Sequence, residues 1–212
     1  MLSWKKLVHH HWNTKNNVLK KLTEKCYNEH LENRLDGYQK YKPIAIDPEL
    51  LEKNTEERIE NIFGTGKPHS NGVSHQMGEM ISDPYTKSLL KISEYGHEHP
   101  VTQQLNEHFG KTFGHTIRNT QEPGQMVGPH SDLNKQFTDA YADAYGKDFE
   151  PHEMCKAIVF LDDWSQGQVL TFGTTALVNW KKNDCITFPW FMPHSTSNAS
   201  RFDRPVLTYI GI

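Results

Sequence analysis

Four residues in the second half of this chain have the types and the order of a cation site with an anion anchor. His130 and Asp132 stand one residue apart in "GPHSDLN". In an extended strand, residues two apart point to the same face, so an imidazole nitrogen and a carboxylate oxygen can reach one ion. A third ligand must come from another strand. His194 in "FMPHSTSN", just after the apolar run "DCITFPW", is the candidate. Two histidines and a carboxylate form a facial set that leaves three positions open on octahedral Fe(II). Arg204 follows His194 by ten residues, at the head of the last strand-like segment. Its guanidinium can pair bidentately with a carboxylate on a ligand that chelates the ion at its other end. The chain has 13 histidines, so one His-x-Asp alone carries little weight. The argument rests on four residues in order, on elements of the right kind.

Those elements change character near residue 110. Before it, the spacing predicts helices over "NNVLKKLTEKCYNEHLENRL", "DPELLEKNTEERIENIFG", "DPYTKSLLKISEYGHEH" and "PVTQQLNEHFG", with a short strand at "KPIAIDP". After it, "FGHTIRNT", "KAIVFLDDW", "GQVLTFG", "TALVNW", "DCITFPW" and "PVLTYIGI" read as short strands, rich in β-branched and aromatic residues. "SQG" and "KKND" read as hairpin turns. The polar, aromatic stretch 133–154 interrupts this series and is either a functional loop or lid, or a surface insertion. Many short strands in series predict a sandwich or a double-sheet jelly roll. The expected fold is α+β, with N-terminal helices packed on one sheet. We expect one domain over 1–212, with a mainly helical support region in 1–110 and the jelly-roll core in 115–212.

On these residues the second half resembles the 2-oxoglutarate/Fe(II)-dependent oxygenases, whose core is a double-stranded β-helix. Their signature is His-x-Asp, a distal His, and an Arg or Lys about ten residues later, here His130, Asp132, His194 and Arg204. "FLDDWSQGQVLTF" is similar to the family's strand, acidic turn and Gly-x-Leu-x-Phe segment. "VNWKKNDCITFPWFMPH" is similar to the approach to the distal histidine, and "RPVLTYIG" resembles the closing strand of the prolyl-hydroxylase-like branch. The resemblance covers residues 115–212 and does not extend to the first 110.

The resemblance implies Fe(II) held by His130, Asp132 and His194, with 2-oxoglutarate chelating it and pairing with Arg204 at its far carboxylate. It implies O2 as the oxidant, succinate and CO2 as coproducts, and a hydroxylated substrate of peptidyl, prolyl-like type. Halogenating relatives carry Gly or Ala at the carboxylate position, so Asp132 favours hydroxylation. Asn119 in "HTIRNT" and Thr208 on the last strand are further candidate cosubstrate contacts. Arg118 falls on the face opposite Asn119 if the strand is regular. Lys156 is a possible second anion contact, but a lysine opening a strand is expected to be exposed. A small-molecule hydroxylase, or a non-catalytic jelly-roll binding module that retains its metal, stands as the alternative.

Three further features compete for a role. His97 and His99 in "HEH" are ligands by type but end a helical pattern and lack a partner. His152 lies in the insertion. Trp164, Trp180 and Trp190 are either cleft-lining or core residues.

Composition narrows the classes. The 212 residues include five Trp, eight Tyr and ten Phe, which argues for a packed core despite only 35% hydrophobic residues. The net charge of −3 and pI near 6.5 count against a nucleic-acid partner. Cys26, Cys155 and Cys185 are odd in number, widely spaced and form no CxxC pair, as in a reduced, cytoplasmic chain. The start, "MLSWKKLVHHHWNTK", holds no apolar run long enough for a signal peptide or membrane span. The sequence does not address oligomeric state.

Overall fold

The computed structural model describes residues 37–52, 58–61, 89–130, 132, 135–146, 154–190 and 192–212. The chain runs through β1 (Gln39–Tyr41), α1 (Pro48–Leu51), β2 (Arg58–Asn61), β3 (Leu89–Tyr95), α2 (Pro100–Phe109), β4 (Gly114–Gln121) and β5 (Met126–His130). It continues through α3 (Lys135–Tyr145), β6 (Cys155–Phe160), β7 (Gln168–Phe172), β8 (Thr175–Leu177), β9 (Cys185–Phe188), β10 (His194–Asn198) and β11 (Arg204–Gly211).

The strands form two antiparallel sheets. One has the order β1-β9-β6-β11-β4-β3-β2, the other β5-β10-β7-β8. From β4 onward the chain crosses from sheet to sheet at every step except the β7–β8 hairpin, so β4, β6, β9 and β11 lie in one and β5, β7, β8 and β10 in the other. This is a double-stranded β-helix, a jelly roll whose mouth and interior lie between the sheets.

Strand periodicity decides what faces that interior. On β6, Ile158 and Phe160 point inward and pack with Leu170, Phe172, Ile186, Phe188 and Val206. Ala157 and Val159 point outward and pack with Leu207 and Tyr209 of β11 and Leu105 of α2. Phe160 stacks on Trp180 at 4.5 Å between ring centroids. Each such buried ring contributes roughly 1.5–3 kcal/mol through area removed from water.

Helix α2 covers the outer face. His99 caps its N-terminus, with Nδ1 accepting from the Val101 N–H, and Gly110 ends it at φ +64°. Val101 and Leu105 are buried on one side. The Tyr209 hydroxyl donates to Asn106 Oδ1 at 2.8 Å, tying the helix to β11. Pro48 and an Asp47 cap start α1 in the same way.

Several expected elements differ. The helix predicted at "DPELLEKNTEERIENIFG" is described only over Pro48–Leu51, and Arg58–Asn61 is a strand. Leu89–Tyr95, predicted helical, is β3, paired with β4 from Leu90↔Gln121 to Tyr95↔Thr116. Ladder pairing outweighs its helical spacing, as tertiary context does to weak propensities. Ile92 packs inward with Val127, while Tyr95 packs outward. "KPIAIDP" is extended with Ile44 and Ile46 buried, but the ladder-forming strand is β1, just upstream. The helix at Pro100–Phe109 and the six strands predicted after residue 110 are present. So are the turns at "SQG" and "KKND", where Gly167 and Asn183 have φ of +100° and +70°. A Cβ at Gly167 would stand 2.7 Å from the Ala199 backbone. The helix predicted at "NNVLKKLTEKCYNEHLENRL", together with Cys26 and His152, lies outside the described residues.

The 133–154 stretch contains α3. Its Phe137 and Tyr141 are buried with Phe113, Met154, Trp190, Ile210 and Ile212. The helix is therefore part of the core at the end of β11.

Candidate functional site

The "GPH" approach to Asp132 is built by a bulged edge strand. β5 is the outermost strand of its sheet, a position where Pro129 does not break a ladder. Its pairing with β10 shifts register between His194↔His130 and Thr196↔Val127. One more residue of β5 than of β10 fits between those pairs, the definition of a bulge, and bulges recur where a strand must re-aim toward a site. The result sets His130 directly opposite His194 across the ladder. The strand ends at His130, so Asp132 lies just past it instead of on the same strand face.

His194 and Asp132 approach each other. His194 Nε2 is 3.6 Å from Asp132 Oδ2. His194 Nδ1 is 2.9 Å from the Met192 carbonyl oxygen. A carbonyl only accepts, so Nδ1 carries the proton in this contact, and Nε2 is the lone-pair nitrogen of the neutral ring. That second hydrogen bond is how metal-ligating imidazoles are held in the required tautomer. Phe188 and Phe172 flank the ring at 5.5 and 6.3 Å. Asp132 and His194 supply one oxygen and one nitrogen donor of the kind that suits a small divalent cation. His130 is paired with His194 in the backbone register, its side chain lies outside the described ones, and among the described residues no group of three ligating side chains is assembled. Nitrogen and oxygen donors of this kind suit Fe(II) or Mn(II).

Lys156 is buried, at 2% exposure, and its ammonium is ion-paired with Asp132 Oδ2. It also lies 5.6 Å over the Phe188 ring. The expectation of an exposed lysine at a strand start is overturned. Lys156 shares the inward face of β6 with Ile158 and Phe160, and its carboxylate partner makes burial tolerable.

Deeper in the interior sits Arg204, at 5% exposure. Nη2 donates to Gln121 Oε1 at 2.6 Å. The same oxygen accepts from Thr196 Oγ1 at 3.1 Å. Thr196 is two residues from His194 on one strand, so a polar chain runs from His194's strand through Gln121 to Arg204. Neither Nε nor Nη1 of Arg204 has a hydrogen-bond partner among the described residues. Burial pushes its guanidinium down from 12.5 to about 9. A buried cation held by a neutral amide, with two nitrogens unpaired, is short of an anion.

Asn119 and Thr208 face the same interior and bond each other, Nδ2 to Oγ1, at 3.1 Å. Arg118 points to the opposite face and pairs with Glu52 at 3.0 Å. His97 accepts from the Gly114 N–H and stacks on Phe113, so with His99 capping α2 both histidines of "HEH" have structural roles. Trp180 and Trp190 are core residues, and Trp164 packs against the inner cluster. Gln121, Thr196 and the burial of Lys156 are what sequence reasoning missed.

Fold and site together describe a jelly-roll protein with a polar, cation-bearing interior. No protein-family model matches the chain, and no curated protein matches it. Solved structures give distant, partial likenesses. A predicted oxalate decarboxylase from Thermotoga maritima is 15% identical, with 59% of this chain and 83% of that one covered and a TM-score of 0.36. The cupin domain of Schizosaccharomyces pombe Cnp3 is 11% identical, covering 57% and 64%, at 0.36. Oxalate decarboxylase from Bacillus subtilis is 16% identical, covering 57% of this chain but 25% of that one, at 0.35. At these values no function transfers, and the fold assignment rests on the strand order itself. Among the described residues no helix is long and apolar enough to cross a membrane.

Proposed function

We propose that the chain is an Fe(II)- and 2-oxoglutarate-dependent dioxygenase that hydroxylates a peptidyl or small-molecule substrate. The observation that carries this reading is the buried, underpaired Arg204, linked through Gln121 and Thr196 to the strand that bears His194. It supports an elongated ligand with a carboxylate at its deep end and a metal-chelating group at its outer end.

In this reading His130, Asp132 and His194 hold the metal, and His194 is kept in the right tautomer by Met192. Arg204 binds the distal carboxylate and orients the oxo acid along the interior. The Thr208 hydroxyl, which accepts from Asn119, keeps its own proton to donate beside that path. Phe172 and Phe188 exclude water from the His194 side, which strengthens the ionic contacts. When bound, Fe(II) supplies oxidative decarboxylation, placing one atom of O2 in succinate and the other in the substrate hydroxyl, with release of CO2. Helix α3, packed at the end of β11, would border the substrate in this reading.

Anaerobic addition of Fe(II) and 2-oxoglutarate tests this. A weak visible charge-transfer band is expected, absent in His194→Ala and His130→Ala, followed by succinate release in air with a peptide and metabolite panel. A wild-type protein that gives no band refutes the reading. The ion pair between Lys156 and Asp132 favours one other reading, a metal-free module that binds an anion at Arg204. That reading requires 2-oxoglutarate to bind equally well in excess chelator.

A further inference from the structure

Lys156 does not fit the role of a bystander. It is a buried ammonium on the inward face of β6, and its carboxylate partner is the residue that would ligate the metal. Both Lys156 Nζ and His194 Nε2 address the same atom, Asp132 Oδ2. A divalent cation held by Asp132 and His194 must take up that side of the carboxylate. An ammonium and a metal ion would therefore compete for the same carboxylate oxygen. The lysine has no carboxylate besides Asp132 among its described contacts, and its other described neighbour is the face of Phe188.

We propose that Lys156 is a competing cation built into the metal site. It neutralises Asp132 in the metal-free protein and leaves the carboxylate when a divalent ion binds. This inference rests on the metal-site reading above. Its physical basis is the cost of an uncompensated buried charge. Without metal, Lys156 supplies the compensation, so the empty site is not strained toward metal uptake. With metal, the ion replaces it, and the ammonium moves into the interior as a cationic donor for an anionic ligand. Metal loading and anion binding are thereby coupled, and the coupling is reciprocal: each should tighten the other by the same factor.

The sign of the effect separates this role from the ordinary one. A residue that merely orients a ligand carboxylate strengthens metal binding, and its removal weakens it. A competitor weakens metal binding, and its removal strengthens it. The test is Mn(II) binding to the full-length chain, followed by the free-ion EPR signal, for wild type, Lys156→Gln, Lys156→Met and His194→Ala. We expect both Lys156 variants to bind Mn(II) at least about tenfold more tightly, the change that ~1.4 kcal/mol produces. We also expect their metal-free forms to melt lower than wild type and Mn(II) to raise their melting temperatures more. Binding to the variants alone, with none to wild type, supports the same role in its strongest form. Equal or weaker Mn(II) affinity in both variants, with wild type binding and His194→Ala not, overturns the inference while the metal site stands. No Mn(II) binding to wild type or to either Lys156 variant overturns both. Two variants of different polarity keep the result interpretable if one fails to fold.

Discussion

Replacing Arg204 by methionine tests the anchor with a signed outcome. Burial pushes the guanidinium from 12.5 down to about 9. At ~1.4 kcal/mol per pH unit, holding it charged in the ligand-free protein costs on the order of 5 kcal/mol. At neutral pH, below both values, this cost is present in full. The hydrogen bond to Gln121 returns about 1.5–3 kcal/mol, as charged hydrogen bonds do. Arg204→Met removes both, and Gln121 Oε1 keeps Thr196 as a donor. The ligand-free variant should therefore be about 2–3.5 kcal/mol more stable than wild type. For a chain of this size that is a rise of roughly 4–14 °C in Tm. The gain should reverse with ligand present. At a 2-oxoglutarate concentration of about 100 times Kd, wild type should gain ~2.7 kcal/mol, and the variant should gain close to nothing. Thermal unfolding at constant Mn(II), with and without 2-oxoglutarate, reads both effects. If the variant keeps the wild-type ligand shift, Arg204 does not hold the oxo acid. If it loses several kcal/mol without ligand, the guanidinium is a structural group and the reasoning from its missing partner fails.

Two further perturbations follow from the same geometry. Gln121→Glu places a carboxylate against Arg204 and supplies the missing anion internally. The ligand-free protein should be stabilised, and calorimetry should show 2-oxoglutarate affinity reduced by tenfold or more; retained affinity would mean that the anion site lies elsewhere. Burial pushes the Cys155 thiol up to about 11 and the Cys185 thiol up to about 12 from a usual 9.0. Both stay protonated in the fold at pH 8, so iodoacetamide should modify Cys155 roughly a hundredfold more slowly than in the urea-unfolded chain, and Cys185 more slowly still. Above pH 9 the unfolded chain loses these protons first. Their contribution to stability should therefore fall as pH rises toward 11, which denaturant titrations of Cys155→Ala and Cys185→Ala against wild type would resolve.

What the sequence revealed follows from how local each signal is. The six strands after residue 110 carry their own alternation and turn residues, and Gly167 and Asn183 mark turns that demand positive φ. His194 and Arg204 were legible because their chemistry is unusual for strand ends and their spacing is fixed along the chain. Gln121 was not. It is a neutral residue at a strand end, and its role exists only because β4, β10 and β11 converge on one amide oxygen. β3 was misread because pairing with β4, a non-local event, fixed its conformation. Lys156 did leave a trace. Lysine at 156 is in phase with Ile158 and Phe160, so strand alternation alone sends it inward. The usual exposure of lysine outweighed that signal, wrongly here, because its partner Asp132 lies 24 residues away.

The interior has a charge imbalance that no single contact reveals. Among the described residues, the buried charged side chains are Lys156 and Arg204, both cations, with no buried carboxylate. Asp132 is only half-buried, and its carboxylate serves Lys156. Among the described residues, one carboxylate against an ammonium and a guanidinium leaves one positive charge without a counter-charge in the space between the two sheets. Adding a divalent cation at Asp132 and His194 makes the imbalance worse. Such a site cannot fill in two independent steps, because each cation raises the cost of the next until an anion arrives. A ligand with two carboxylates, one at the metal and one at Arg204, relieves both ends at once. A monoacid would leave Arg204 as it stands now. The jelly roll supplies the space and the strand ends. The proposed preference for a dianion would come from which charges the alternation of β6 and β11 turns inward.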